Sequence, residues 1–549
     1  MNSSSTIKSS VLIVGAGPVG LTLALDLASR GIDVTIAECR PAHDPPSARC
    51  NQVSARSMEI FRRLGISAEL RAIGLPADFP NDVVSCTTVT GIELSRVPIP
   101  ARGERSTATG GPDTWWPTPE HTHRINQTFF DPVLFARAAA EPRVRILNQA
   151  MVEDFAQSDD GVAAAVRDLD TGEEISIECA YLVGCDGARS MVRKSIGARF
   201  EGTPELQRVQ STHIRAPSLL SLIPGRPAWM YFALNPRRCG VIMAIDGRET
   251  WTIHNYLYRG ESDFDSVDRD WAIRMIIGAG PDFQYQVIAR EDWFARRLVA
   301  DRFRDRRAFI CGDAAHLWVP SGGYGMNAGI ADAANLSWMI AATLNGWAPP
   351  AILDAYESER RPVIDRVSRL IAEVAEKVML HRREVTADIE RPDAAGEAAR
   401  LSIGRAAYEL DIKQQCCGGL NFGYSYAGSP IIAYDGSSPP PYSMRDFTPS
   451  TVPGCRTPHL WLADGRSLYD ALGPEFTLIR TDPGVPVSRL VGAASERGVP
   501  LTVLDLDAPD ARSLYAENLV LVRPDQHVAW RGDQEPPSPV KLIDTVRGS

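Results

Sequence analysis

The chain has 549 residues, so two or three domains with substantial cores are expected. Its formal net charge of −10 leaves no basic surface for nucleic acid or anionic membrane, and no apolar run is long enough to span a bilayer. The ten cysteines show no C-x-x-C spacing, which predicts reduced thiols and a cytoplasmic setting, and the histidines lack metal-ligand spacing.

The first motif is a glycine-rich turn that follows an apolar strand over 11–14. Gly15, Gly17 and Gly20 fit the pattern G-x-G-x-x-G, with Pro18 between the last two. We expect Gly15 to allow a sharp turn, Gly17 to let a pyrophosphate approach the backbone, and Gly20 to let the next helix pack on the strand. The spacing predicts dinucleotide binding and places these four residues in the cofactor site.

A helix is predicted up to Arg30, followed by a second strand over 33–37 that ends at Glu38. An acid at the tip of this strand can accept hydrogen bonds from ribose hydroxyls, which only an adenosine moiety needs. Glu38 therefore favours a dinucleotide over a mononucleotide. No second G-x-G-x-x-G follows a strand, so a separate nicotinamide-binding domain is not expected.

Another apolar strand begins at Tyr181 and ends in an acidic turn that contains Asp186 and Gly187, before a predicted helix. Arg189 and Arg193 follow this turn. They could attract the phosphates of a reductant, but solvated surface arginines are the preferred interpretation.

The region from about 207 to 300 changes character and contains strand-like runs at 228–234, 240–245 and 250–256. An antiparallel sheet there would line a ligand pocket with its inward residues. Tyr231, Met243 and His254 are the candidates on these strands. A core aromatic ring, a core methionine and a hydrogen-bonded core histidine are the preferred alternatives.

The densest glycine cluster lies in GDAAHLWVPSGGYGMNAGIADAANLSWMI, residues 312–340. A short strand over 307–311 leads into the Gly312-Asp313 turn, then a loop with Pro320, then a helix that starts between 325 and 328. Free amides and the positive dipole end of a helix suit an anionic or carbonyl-rich ligand. An ordinary strand-to-helix connection is the alternative.

These three motifs, in this order, resemble the single-component FAD-dependent aromatic hydroxylases of the para-hydroxybenzoate hydroxylase type, and within them the phenol and chlorophenol monooxygenase branch. The resemblance covers roughly residues 9–400 with specific motifs and the remainder more loosely. It implies an α/β fold with a Rossmann-like FAD-binding domain, an inserted antiparallel-sheet substrate domain and a C-terminal thioredoxin-like α/β domain.

The resemblance also implies roles for individual residues. Asp313 would lie beside the flavin ribityl chain and Pro320 near the isoalloxazine ring. Asp186 would shape the cleft shared by FAD and NAD(P)H, while Arg49, in the segment 44–56, and Gln127 match further flavin contacts. The glycine loop and helix start would offer backbone amides to the flavin pyrimidine carbonyl through Gly323, Gly325, Met326 and Asn327.

The implied reaction inserts one oxygen atom of O2 into an aromatic, phenolic substrate through a flavin C4a-hydroperoxide, with NADH or NADPH as a transient reductant. Asn51 stands where relatives carry an acid or a histidine near the substrate hydroxyl. Because asparagine cannot act as a general base, this departure argues against simple phenol deprotonation there. The candidate catalytic set is Asn51, Tyr231, His254 and Pro320. An FAD-dependent oxidase or dehydrogenase of an aromatic or polyketide-like substrate, and a non-catalytic flavin-binding protein, remain alternatives.

The domain boundaries follow these changes in pattern. The FAD-binding domain is expected over 1–200 and 301–400, the substrate sheet over 201–300, a linker or wrapped segment over 401–454, and the thioredoxin-like unit over 455–549. The last unit has no C-x-x-C, which predicts a structural role. The amphipathic run 363–378 could equally pack on its own domain or join a homodimer face.

Overall fold

A computed structural model describes residues 6–42, 44, 49–114, 116–506, 508 and 511–549. Three β-sheets of eight, nine and four strands organise this part of the chain. The helices that cover them are Pro18–Ser29, Ala55–Arg63, Ser67–Ala72, Gln127–Ala140, Met191–Ser195, Leu219–Leu222, Arg269–Ile277, Tyr324–Leu344, Asp354–Arg383, Ala394–Gln415, Gly418–Phe422, Leu468–Ala471, Ser488–Glu496, Ala511–Tyr515 and Pro539–Val546.

The first sheet belongs to the predicted dinucleotide-binding domain. Its first strand pairs in parallel with the second strand and with the strand that precedes Asp186. Residues 11–14 are buried, which explains their continuous apolar pattern. The eight strands are Thr6–Val14, Val34–Glu38, Val144–Asn148, Ala150–Gln157, Val162–Asp168, Glu174–Gly184, Arg304–Asp305 and Ala308–Ile310.

The second sheet contains the strands predicted between 207 and 300. It also takes a hairpin from before that region and a short strand from after it. Most of its pairings are antiparallel. The nine strands are Val83–Cys86, Glu93–Val97, Phe200–Arg215, Met230–Ala233, Gly240–Ala244, Thr250–Tyr256, Gln286–Arg290, Trp293–Ala300 and His316–Leu317.

Tyr231 lies on the face of this sheet that is turned away from the glycine loop. It pairs with Ile242, so both share the face of Gly240, where an added Cβ would meet Ile276 at 2.3 Å. The helix Arg269–Ile277 therefore covers this face. The Tyr231 hydroxyl accepts a hydrogen bond from the Ala228 amide at 2.6 Å, and the side chain is buried. Tyr231 therefore packs in the core on the far face of the sheet, a position that agrees with the core alternative and offers no support for a catalytic role.

The long helix Asp354–Arg383 contains the amphipathic run 363–378. Its apolar side chains, among them Val363, Val367 and Ile371, are buried in a cluster with residues from other parts of the chain. The apolar stripe of this run is therefore occupied by packing within the chain, as the first alternative predicts.

The C-terminal unit is a four-stranded mixed sheet with helices, which confirms the predicted α/β character of this unit. The segment 401–454, predicted as a linker or wrapped segment, is helical in its first part, where the helix Ala394–Gln415 ends and the helix Gly418–Phe422 follows, and it contains no helix or strand over 434–454. Two buried ion pairs, Arg523 with Glu359 and Arg456 with Glu59, join the unit to the first domain. The four strands are Phe476–Arg480, Leu501–Asp505, Leu519–Val522 and Val528–Gly532.

Candidate functional site

The glycine-rich turn before the first helix has one open position. Gly15 has a φ of +105°, and an added Cβ would lie 2.6 Å from the Cys185 carbonyl oxygen. An added Cβ at Gly20 would lie 2.1 Å from the Gly15 oxygen, whereas at Gly17 it would meet nothing within 4 Å. Gly15 and Gly20 are thus needed for the turn and its packing, and Gly17, beside Pro18 in the first helical turn, leaves the backbone accessible to a ligand.

Glu38 ends the second strand beside this turn. Its carboxylate accepts hydrogen bonds from the Ala16 amide at 2.6 Å and from the Arg40 amide and Nε, both at 3.0 Å. Burial opposes ionisation of Glu38, but these hydrogen bonds outweigh it and lower its pKa. The side chain is therefore an ionised acceptor at neutral pH, which suits ribose hydroxyl donors.

Glu38→Gln is expected to weaken FAD binding about tenfold, because a charge-assisted hydrogen bond contributes roughly 1.4 kcal/mol more than a neutral one. FMN lacks the adenosine ribose, so its affinity should not change. Flavin-fluorescence titration of the apoprotein measures both affinities, with the exposed Glu178→Gln as control. Equal losses for FAD and FMN would contradict the ribose role and indicate a distorted turn.

Asp186 caps the short helix that follows it. Its Oδ2 accepts hydrogen bonds from the Met191 amide at 2.7 Å and the Val192 amide at 3.1 Å. Arg193 is buried rather than solvated, which corrects the surface interpretation. Its guanidinium stacks 3.8 Å from the Phe200 ring centroid and donates to the Ala314 carbonyl at 3.2 Å. Arg193 thereby links the Asp186 turn to the Gly312–Ala314 turn, while Arg189 is exposed as expected.

The Gly312–Ala314 turn presents Asp313 at the mouth of the cleft. The side chain is exposed to solvent, yet protein surrounds it on several sides, and this burial raises the pKa of Asp313 against the influence of His316 and Arg49. Arg49 Nε lies 3.5 Å from Glu291 Oε2, at the edge of the second sheet. Residues 45–48 of the predicted flavin-contacting segment lie outside the described residues.

Asp332 holds this turn from behind, a role that sequence reasoning missed. Its buried carboxylate accepts hydrogen bonds from the Gly312 amide at 3.1 Å, His316 Nε2 at 2.7 Å and Arg360 Nε at 2.8 Å. Burial opposes ionisation, but His316 and Arg360 lower the pKa of Asp332. The available signal was an acid within an otherwise apolar helical run.

The helix after the glycine loop begins at Tyr324, one residue before the predicted range. Gly322 and Gly323 have φ values of +73° and +68°, and an added Cβ at Gly325 would meet nothing within 4 Å. The side chain of Asn327 forms hydrogen bonds to neighbouring backbone groups. It accepts from the Ser54 amide at 2.8 Å and donates to the Gly323 carbonyl at 2.7 Å.

The open N-terminal end of this helix lies beside the segment 49–56 and the loop that contains Pro320. The Asn327 bond to Ser54 fastens the segment 49–56 beside the helix start. Pro320 is exposed on the loop, and Gly325 and Met326 are half-buried. Free amides at such an end bind carbonyl oxygen or negative charge.

Asn51 joins this segment to the second sheet. Its Nδ2 donates to Met243 Sδ at 3.4 Å, and its Oδ1 accepts from Asn126 Nδ2 at 2.6 Å. Met243 thus faces the cleft. His254 shares that sheet face through the antiparallel register, with its ring centroid 5.5 Å from that of Trp293. Burial lowers the pKa of His254 to about 3, so the ring is neutral.

Gln127 lies at the start of the helix Gln127–Ala140. Its amide nitrogen donates to the Cys50 carbonyl at 2.8 Å, and its Nε2 donates to Asp131 Oδ2 at 2.9 Å. These bonds hold Gln127 beside the segment that carries Asn51. Burial raises the pKa of Asp131 to about 7.

Residues 8–370 match the family model described as FAD binding domain, and residues 450–547 match aromatic-ring hydroxylase, C-terminal. The FAD-dependent monooxygenase apdD of Emericella nidulans is 31% identical over 562 aligned residues, which cover 97% of this chain and 89% of that protein. Phenol 2-monooxygenase of a Pseudomonas species is 28% identical, covering 100% and 94%. The solved structure of RebC with bound 7-carboxy-K252c is 34% identical, with a TM-score of 0.89 and coverage of 99% and 100%.

Within the described residues, no helix combines the length and hydropathy needed to cross a bilayer. In the same part of the chain, no group of three or more His, Cys, Asp or Glu side chains is placed to hold a metal ion.

Proposed function

The chain belongs to the FAD-dependent monooxygenases with an aromatic-ring hydroxylase C-terminal domain, and on this premise we propose that it hydroxylates an aromatic substrate with O2 and NAD(P)H. The observation that carries the proposal is that the segment with Asn51 and Ser54 contacts both the helix that starts at Tyr324, through Asn327, and the second sheet, through Met243. With one dinucleotide motif in the sequence, the reductant has to reach the cofactor cleft.

FAD, when bound, supplies the redox and oxygen-activating chemistry. The open backbone at Gly17, the ionised Glu38 and the exposed Asp313 fit the pyrophosphate, the ribose and the ribityl chain in turn. The amide end of the helix Tyr324–Leu344 stabilises negative charge on the pyrimidine side of the ring system.

The residues around Asn51 orient the substrate rather than ionise it. The Asn51 amide accepts from Asn126 and donates towards Met243, and an amide does not take up a proton at neutral pH. His254 is neutral because burial lowers its pKa to about 3, so it is a poor base for this step. We propose that the cleft positions the ring and excludes water, and that the substrate brings its own acidity.

All ten cysteines are free thiols, which supports a reducing, cytoplasmic setting for the enzyme. In such a setting both NADH and NADPH are available as reductants.

The decisive assay supplies labelled dioxygen, each nicotinamide reductant and a panel of phenols and polycyclic phenols. We expect an aromatic substrate to accelerate reductant oxidation and to acquire one labelled oxygen atom. Oxidised product without label, with peroxide as the only oxygen product, would favour the oxidase alternative. Reductant oxidation without an aromatic compound serves as the control for uncoupled peroxide formation.

A further inference from the structure

Arg124 is a buried arginine for which the described residues provide neither a hydrogen-bond acceptor nor an ion-pair partner. The residue is 2% exposed. Its Nε, Nη1 and Nη2 atoms have no hydrogen-bond acceptor in the described part of the chain. No ion pair joins it to a carboxylate among those residues. Because a buried unpaired cation is strongly unfavourable, retaining one calls for a compensating anion.

The extended segment that carries Arg124 directs it towards the cleft. His123 Nε2 lies 2.8 Å from the Leu70 carbonyl, on the side of the first domain. Asn126 points the other way and donates to Asn51 at 2.6 Å. Side chains alternate along an extended segment, so Arg124 shares the side of Asn126. The guanidinium therefore lies on the side of the segment that faces the second sheet.

The other wall of the cleft lies directly against this guanidinium. Its Cζ is 4.2 Å from the Trp229 ring centroid, and Trp229 immediately precedes the strand Met230–Ala233. Tyr324, the first residue of the helix that opens the cofactor cleft, and Cys416 are among its electrostatic neighbours. Arg124 thus stands between the helix start, the sheet and the end of the helix Ala394–Gln415.

Asp113, the acidic residue among the main electrostatic neighbours of Arg124, is paired with other residues. Asp113 interacts electrostatically with Arg124, but its Oδ2 lies 2.6 Å from Arg105 Nη2 and its Oδ1 accepts from Trp116 Nε1 at 3.0 Å. Burial lowers the pKa of Arg124 to about 10, so the side chain keeps its charge at neutral pH. Gln52 Oε1 and Gln415 Oε1 are also buried without a donor.

We propose that Arg124 binds an anionic oxygen group of the aromatic substrate, a carboxylate or an ionised phenol; the proposal rests on the proposed function. A planar guanidinium matches two oxygens of such a group with parallel N–H donors. A neutral analogue leaves the cation unpaired, so the site discriminates between the charged and neutral forms of one ring.

The test compares matched ligand pairs on the FAD-loaded protein. The probes are 1-hydroxy-2-naphthoic acid and its amide, anthraquinone-2-carboxylic acid and its amide, and 4-nitrophenol and its methyl ether. Flavin absorbance and tryptophan fluorescence report binding. We expect the charged member to bind at least tenfold more tightly in the acid–amide pairs, in the nitrophenol pair, or in both. Preference confined to the acid–amide pairs identifies a carboxylate, and preference in the nitrophenol pair that grows with pH identifies a phenolate.

Two variants separate ligand binding from folding. Arg124→Met is expected to reduce the charged-to-neutral affinity ratio to about one, to leave FAD affinity unchanged, and not to lower the melting temperature of the ligand-free protein. Arg238→Met is the matched control, because Arg238 is also buried against an aromatic ring but is paired with Glu261 at 2.8 Å. It should lower the melting temperature and keep the affinity ratio.

Several results would overturn the assignment. They are equal binding of charged and neutral probes by the unaltered protein, binding of no charged probe, and a preference that survives in Arg124→Met. If Arg124→Met fails to fold, Arg124 is structural, unless Arg124→Lys folds and retains part of the preference. Oxygen insertion into neutral aromatics without charge preference would refute this site alone, whereas absence of oxygen insertion with any aromatic would refute the proposed function.

Discussion

Glu359→Ala is expected to lower the free energy of unfolding by about 3–5 kcal/mol, because it removes one of the two carboxylates that pair with the buried Arg523 and leaves several buried donors without their acceptor. Both Glu359 oxygens accept from Arg523, and they also accept from Ser429 Oγ at 2.6 Å and Asn335 Nδ2 at 2.7 Å. Arg523 directly follows the strand Leu519–Val522 of the C-terminal unit. Loss of its bonds to Glu359 therefore weakens the attachment of the C-terminal unit to the first domain.

Urea unfolding measures the loss, and limited proteolysis within 434–454 reports release of the C-terminal unit. Glu373→Ala is the control, since Glu373 is exposed on the same helix, and surface substitutions there change stability by about 0.5 kcal/mol or less. If the two variants unfolded at the same urea concentration and were cleaved equally slowly, the buried cluster would not be what holds the unit in place.

Asp313→Ala and Asp332→Ala are expected to fail in different ways. The first removes an exposed acceptor that faces the cofactor cleft, so it should weaken FAD binding about five- to over a hundredfold, as for roughly 1–3 kcal/mol, with little change in stability. The second leaves His316 and Arg360 buried without their acid, so it should destabilise the fold by about 3–5 kcal/mol.

Asp332→Ala is therefore not a neutral control for Asp313→Ala, although Asp332 lies within the helix, because its carboxylate supports the fold. Its pKa is lowered in the fold, so its contribution is present above about pH 3.8 and is lost as the pH falls through the folded-state pKa. FAD titration and thermal unfolding of both variants at neutral pH, with the exposed Asp160→Ala as control, separate the two effects. A stable Asp332→Ala that loses FAD as Asp313→Ala does would contradict this division.

Register decided which side chains reach the cleft. The run 228–234 is apolar throughout, so its periodicity cannot distinguish the two faces of a buried strand. Pairing of Tyr231 with Ile242 and of Met230 with Met243 puts Tyr231 under a helix and Met243 against Asn51. A slip of one residue would reverse this assignment, and only long-range packing prevents it.

Charged residues near the motifs show the same limit. Arg189 and Arg193 have similar local surroundings in sequence, yet one is exposed and the other is buried on Phe200. Arg124 gave no signal in the sequence, because the lack of a hydrogen-bond acceptor for it among the described residues is a property of the fold. Buried charges are paired by residues far away in the chain, as Arg523 and Glu359, which are 164 positions apart, illustrate.

By itself the sequence determined the strand–turn–helix motifs, the FAD-binding family and the α/β character of the C-terminal unit. These depend on local requirements: positive φ or close approach at Gly15 and Gly20, apolar periodicity, and turn residues. Tertiary structure alone decided that Asp332 supports the Gly312–Ala314 turn, that Asn51 meets Met243, and which sheet face lines the cleft. The physical reason is that burial, register and charge pairing join residues distant in the chain, and no local pattern encodes which of them meet.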